Sequence, residues 1–410
     1  MRRVVVTGLG LLTPLGNDVG ATWEGLVAGR SGLGWISAFD TSAYECPIGG
    51  ELKAWDPERH VDAKLLRRID RSSAIALAAT REAVGDAGLE VAGRERAVGV
   101  LLGTGMGSAH LLVEQQQVLD EKGPRRISPF LTSHMLPDTA TGLVAMALGA
   151  RGPNYAVTAA CATGGAATGE AAAMIARGDA EVMVTGGYEA PLRPIYYAGF
   201  HAMKALATHE DPARAVRPFD RTRNGFIISE GAGVLVLESL EHAQARGARI
   251  YAEWKSAVTT NDAWDMVAAA DDGRGIAEAM ELALERARLA PGEVDYINAH
   301  GTGTQLNDRV ETAAIRRVFG EAAESLMVSS TKSMLGHMMG AAGAVEAAVT
   351  VLALHHEQVP PTINYAEPDP DCDLDYVPNE ARRATLRHAM STSVGLGGHN
   401  SAIVFGRWEG

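Results

Sequence analysis

The sequence predicts an α/β fold in which sheets are covered by helices on both faces. Three observations carry that prediction. Strand-like and helix-like segments alternate from one end of the chain to the other. The strand-like runs are apolar at successive positions, as strands buried on both faces must be. Finally, 46 glycines beside 5% aromatic residues imply a core of Ala, Val, Leu, Ile and Met whose elements approach closely. No Pro- or Ser-rich linker interrupts the pattern, so the 410 residues read as one packed body with room for a deep cleft.

The elements follow in order. "RRVVVTGLG" is a buried strand ending in a glycine turn. "DRSSAIALAATREAVGDAGL" is a helix that Asp70 caps and Gly88 closes. "AVGVLLGTGMG" is a second buried strand, and residues 133–150 form a helix broken by Gly152-Pro153. Then come the strand "YAVTAA", a turn at Cys161, a helix to about Arg177 and the strand "EVMVTGG". "GAGVLVLESLEHAQARG" is strand then helix, stopped by Gly247. Beyond it lie the helix "GIAEAMELALERARL", the strand "VDYINAHG" and the helix "RVETAAIRRVFG". The strand "LMVSSTKS", the helix "GAAGAVEAAVTVLALHH" and the strand "SAIVFG" complete the chain.

Composition excludes several classes. A net charge of −13 disfavours nonspecific binding to nucleic acid or anionic membrane. Three cysteines (Cys46, Cys161, Cys372) cannot all pair, which points to a reducing, cytoplasmic setting and at least one free thiol. "MRRVVVTGLGLLTPLG" imitates a secretory signal, but it lacks a small-x-small site and Pro14 and Gly16 break the run. No apolar stretch reaches the roughly 20 residues that span a bilayer. "GLGLLTPLG" and "GTGMG" lack the G-x-G-x-x-G spacing of a dinucleotide loop. Asp369, Asp371, Asp373 and Glu380 imitate a calcium loop, but Leu374 holds the required glycine position and Pro370 and Pro378 flank it. His355 and His356 end a helix, where cations are favoured, so no metal site is expected.

Chemistry concentrates at three strand ends. Cys161 follows a strand and opens a helix, where N–H groups and the macrodipole favour a nucleophilic thiolate. Ala159, Ala160, Ala162 and Gly164 leave room for an electrophile, and the Cys161 N–H can donate to an oxyanion. Taken alone, a buried structural cysteine is the better explanation, because free Cys is commonly a small hydrophobe. His300 stands at the end of a buried strand before Gly-Thr-Gly-Thr, and Lys332 and His337 lie on a second strand-to-helix connection. Sheets of this kind gather active sites at such ends.

"TAACATGGAATG", "NAHGTGTQLND", "SSTKSMLGHMMGAAGAVE" and the terminal "GLGGHN" together resemble the β-ketoacyl-acyl carrier protein synthases, above all the elongating type II enzymes. The likeness runs over essentially the whole chain, and the four motifs stand in the family's order. It implies a thiolase-like, duplicated, five-layered αβαβα fold, with an N-terminal half over 1–250 and a C-terminal half over 251–410, usually as a homodimer. It implies that Cys161 takes an acyl group from the pantetheine thioester of a carrier protein. Malonyl-carrier protein then loses carbon dioxide, and the carbanion attacks the acyl-cysteine. His300 and His337 stabilise the enolate oxygen.

By the same resemblance Lys332 supports the imidazoles, and Glu311 and Glu346 belong to the supporting shell. The N–H of Leu396 is the second oxyanion donor beside that of Cys161. Thr302 and Thr304 hold the pantetheine arm, Met106 and Phe200 line the acyl tunnel, and no cofactor is required. Lys64, Arg67, Arg68, Arg125, Arg126 and Lys204 match a basic patch that docks the acidic carrier protein. One departure stands out. The family usually reads "FGFGG" where this chain has Val394 and Leu396, which implies a looser gate over the acyl-cysteine. Polyketide-type condensation by the same chemistry is the alternative; a thiolase is set aside because no second cysteine lies near the C-terminus.

Overall fold

The computed structural model describes residues 1–410. Its first half runs β1 (Val4–Leu12), α1 (Arg71–Ala87), β2 (Val98–Gly103), α2 (Thr139–Leu148), β3 (Asn154–Val157), α3 (Thr163–Arg177), β4 (Val182–Glu189) and β5 (Gly231–Ser239). The second runs β6 (Ala252–Asn261), α4 (Arg274–Ala287), β7 (Tyr296–Asn298), α5 (Gln305–Phe319), β8 (Met327–Ser329), α6 (Ala342–His356), β9 (His388–Gly395) and β10 (His399–Arg407).

The ten strands join in the order β8-β7-β9-β10-β6-β1-β5-β4-β2-β3. The seam between halves is short: Val4, Val5 and Val6 pair with Trp254, Glu253 and Ala252. On either side of it the strand order is the same, third-second-fourth-fifth-first. The ladders repeat too. In each half the third, second and fourth strands are parallel, and the fifth is antiparallel to both its neighbours. The duplication is therefore plain in topology, although no letter-by-letter repeat is visible in the sequence.

Helices α3 and α6 lie between the two halves and touch strands of both; α1 and α2 cover the outer face of the first half, and α4 and α5 that of the second. This is the five-layered αβαβα arrangement. From Ala342 to Leu354 every residue of α6 is buried, as a helix apolar at nearly every position and packed on both faces must be. Glycine lets α3 meet it: a Cβ on Gly164 would stand 2.4 Å from the Ala344 nitrogen.

Caps fall where local chemistry puts them. Asp70 accepts the N–H groups of Ser72 and Ser73 at the start of α1, and Gly88 ends it in the left-handed region at φ 57°. The helix expected over 133–150 is corrected to a short turn at Leu131–His134 and α2 from Thr139. Pro137, between them, lacks the N–H that a continuous helix would use.

Candidate active site

Cys161 sits in the turn between β3 and α3. The chain gets there through Ala160 at φ 47°, a left-handed conformation rare for a residue with a side chain. The Ala159 N–H donates to Thr163 Oγ1 at 2.7 Å. The N–H groups of Ala162 and Thr163 donate to the Ala159 and Ala160 carbonyls at 3.0 and 3.2 Å. These amides are used inside the turn and are not free for the sulfur.

Burial pushes the Cys161 thiol up to about 12; the Lys332 charge pulls it down, Glu189 raises it and the Leu396 N–H lowers it. The expectation of a resting thiolate at the helix start is thereby corrected. Desolvation outweighs the Lys332 charge and the Leu396 N–H, and the resting nucleophile is a protonated thiol.

His300 follows β7. Its backbone N–H and that of Gly301 each donate to Glu311 at 2.8 Å, and the Thr392 hydroxyl donates to the same carboxylate at 2.8 Å. His337 lies in the turn before α6, with its N–H on the Ile227 carbonyl at 2.7 Å. The two rings stand edge to face, centroids 5.3 Å apart at 84°. Burial, and then the Lys332 charge, hold both imidazoles well below the ordinary histidine value, so both are neutral. Nδ1 of His300 and both ring nitrogens of His337 are buried without a protein partner. Buried polar atoms seldom stay unpaired unless a ligand or water completes them.

Lys332 is 1% exposed and forms an ion pair with Glu346. Burial pushes Glu346 up to about 7 against the pull of that lysine, and its second oxygen finds no partner.

Cys161, His300 and His337 line one cavity of about 400 Å³, together with Phe200, Thr302, Thr304 and Leu396. The Thr302 and Thr304 hydroxyls lie 3.0 Å apart, and Thr304 caps α5 through the Asn307 N–H. Leu396, 38% exposed, occupies the β9–β10 turn with its N–H toward the Cys161 sulfur. Met106 does not line this cavity; it packs in the apolar cluster that holds Cys161 and Phe200.

The six expected docking cations are all exposed. Lys64 is in the short helix Ala63–Leu66, Arg67 caps it, and Arg125 and Arg126 lie in the turn Pro124–Arg126. Arg68 stacks 5.6 Å over the Phe130 ring, just beyond that turn. Lys204 follows Met203, which lines the cavity.

Sequence reading missed Phe226, whose ring meets His337 edge-on at 5.4 Å, and Glu189, which is buried at the end of β4. A lone carboxylate closing an apolar strand was the signal for the second. No helix is long and apolar enough to cross a membrane.

A protonated thiol and two neutral imidazoles sharing a largely apolar cavity, on a duplicated αβαβα fold, define a condensing acyltransferase. The model of the β-ketoacyl synthase N-terminal domain matches residues 1–243, and that of the C-terminal domain matches residues 251–366. The chain belongs to the β-ketoacyl synthase family. It is 48% identical over 409 residues to 3-oxoacyl-[acyl-carrier-protein] synthase 2 of Staphylococcus aureus (strain COL), covering 100% of this chain and 99% of that one. It is 46% identical over 412 residues to the Synechocystis protein of that name, with the same coverage. Among solved structures, a type II polyketide ketosynthase bound to its acyl-carrier protein and a hexaketide matches with TM-score 0.92 and 35% identity over both full chains. The ishigamide ketosynthase/chain length factor matches with TM-score 0.93 and 38% identity over 99% of each chain.

Proposed function

We propose that this enzyme elongates acyl groups on acyl carrier protein by two carbons in fatty acid biosynthesis. One observation carries the reading: Cys161, His300 and His337 line the same cavity, and the two imidazoles keep three buried ring nitrogens without a protein partner. In the first half-reaction the Cys161 sulfur bonds to the acyl carbonyl carbon. The bond to the pantetheine sulfur breaks, and the thiol proton leaves with that sulfur. The N–H groups of Cys161 and Leu396 hold the oxyanion.

In the second, malonyl-carrier protein loses carbon dioxide and His300 and His337 donate to the enolate oxygen. Neutral rings with depressed pKa values suit donation, since neither gives its proton away outright. The carbanion attacks the acyl carbon and expels the Cys161 sulfur, which takes up a proton. Lys332 eases that departure by its charge and Glu346 holds it in place. Glu311 positions His300 through its backbone. Thr302 and Thr304 hold the pantetheine arm, and Leu396 is a small gate that admits bulkier chains than a phenylalanine would. No cofactor enters these steps.

The division near residue 250 assigns the nucleophile to one half and the imidazoles to the other, with the repeated strand order in support. An edge strand β3 bearing the exposed Tyr155, and exposed Leu112, Val113 and Leu119 on the helix Ala109–Lys122, support a homodimer. Three free cysteines support a cytoplasmic setting.

The test is mass spectrometry after incubation with saturated acyl-carrier proteins of graded length. An acyl adduct on Cys161 is expected, with Leu396→Phe losing the longest or branched chains first. No adduct on Cys161 would sink the reading. Acylation only by poly-3-oxoacyl substrates would favour the polyketide alternative.

A further inference from the structure

Strand β4 ends on Glu189, a carboxylate 1% exposed that the steps above leave unused. Four donors converge on it. Oε1 accepts the Thr104 hydroxyl at 2.7 Å and the Met106 N–H at 3.3 Å; Oε2 accepts the N–H groups of Gly105 at 2.7 Å and Gly340 at 3.0 Å. They come from two separate segments, the glycine turn after β2 and the turn that leads from His337 into α6. The junction is tight: a Cβ on Gly340 would stand 2.2 Å from the Gly105 nitrogen and 2.6 Å from the carboxylate. Both segments bear on the acyl site. Met106 and Met339 pack in the apolar cluster that includes Cys161 and Phe200, and Met339 also lines the cavity.

We propose that Glu189 is a positioning residue that fixes Met339, which lines the acyl cavity, and Met106, which packs in the apolar cluster beside Cys161, and so determines which acyl chain lengths the site accepts. This deepens the condensing reading and rests on it. Every group facing Glu189 is a donor, so only an acceptor-only carboxylate satisfies all four. An amide cannot. With its NH₂ at the Oε1 position, the Thr104 hydroxyl turns to accept while the Met106 N–H loses its partner. With its NH₂ at the Oε2 position, it confronts two backbone N–H groups. Glu189→Gln therefore releases Met106 and the apolar packing it makes beside Cys161, and keeps Gly105 and Gly340 anchored.

The measurement compares acylation of Cys161 by butanoyl- and hexadecanoyl-carrier protein. In Glu189→Gln the long-to-short rate ratio should fall about fivefold, the equivalent of the one hydrogen bond lost at Met106. Ethyl- and dodecylmaleimide, which need no carrier protein, should show the same split. A ratio equal to wild type, or equal losses at both lengths, would overturn the proposal. Should wild type take no acyl group from carrier protein, the condensing reading fails and the maleimide pair still decides the role of Glu189. If Glu189→Gln does not fold, Thr104→Val removes one bond to the carboxylate, and the same split in smaller measure is expected.

Discussion

Cys161 cannot wait as a thiolate when burial has pushed its ionisation to about 12. Alkylation of Cys161 by iodoacetamide should therefore rise about tenfold per pH unit through the usual thiol range, without a plateau. Peptide mass spectrometry distinguishes it from Cys46. Lys332→Met removes the cation that lowers this pKa, so alkylation at a given pH should slow further; a plateau near the ordinary thiol value would contradict both expectations. The imidazoles add the acid side. Their pKa values lie well below 6.5, so donation to the enolate should not change as pH falls through 6.5. Stability should change: below 6.5 the unfolded chain gains protons that the folded imidazoles refuse, and folding weakens as pH drops.

At the scale of elements, Asp70 tests how much one cap contributes. Burial works to raise its pKa, but bonds from Ser72, Ser73 and Ser108 outweigh it and hold the carboxyl below its usual range. The Ser108 hydroxyl, at 2.8 Å, ties the start of α1 to the start of the helix Ala109–Lys122. Asp70→Ala should cost about 1–2 kcal/mol in urea denaturation. Its contribution is lost as pH falls through the depressed pKa, so variant and wild type should converge in acid. The cap was legible in the sequence because it is local, as was Gly88. β9 was not. It is central in the sheet yet reads "HAMSTSVG", because Thr392 is buried to serve Glu311 beneath His300. A strand whose polar residues support the site loses the apolar signature by which strands are read. β6 hides likewise behind Lys255, Ser256, Thr259 and Thr260. Cys161, His300, Lys332 and His337 were legible as types at strand ends, but the ionisation of the thiol and the two imidazoles was not. It depends on burial, which the folded assembly alone creates.

Across the whole molecule, the charges pose a problem that the docking patch expected from the sequence would answer. A chain of net charge −13 repels an acidic partner at long range, so approach depends on where its cations stand. Lys64, Arg67, Arg68, Arg125, Arg126 and Lys204 are all exposed, and Lys204 adjoins the cavity wall at Met203. Such a patch acts within about 8–10 Å at moderate salt, and it governs encounter more than final contact. Reversing Arg67 and Arg125 to glutamate should weaken carrier-protein affinity about tenfold or more and flatten its dependence on salt. Each position contributes on the order of 1 kcal/mol and adds like-charge repulsion when reversed. Acylation of Cys161 by a small pantetheine thioester, which needs no docking, should keep its wild-type rate. If the double variant binds carrier protein with unchanged affinity and salt dependence, the partner approaches over another face. If the small thioester also fails, the substitutions have disturbed the fold rather than the encounter.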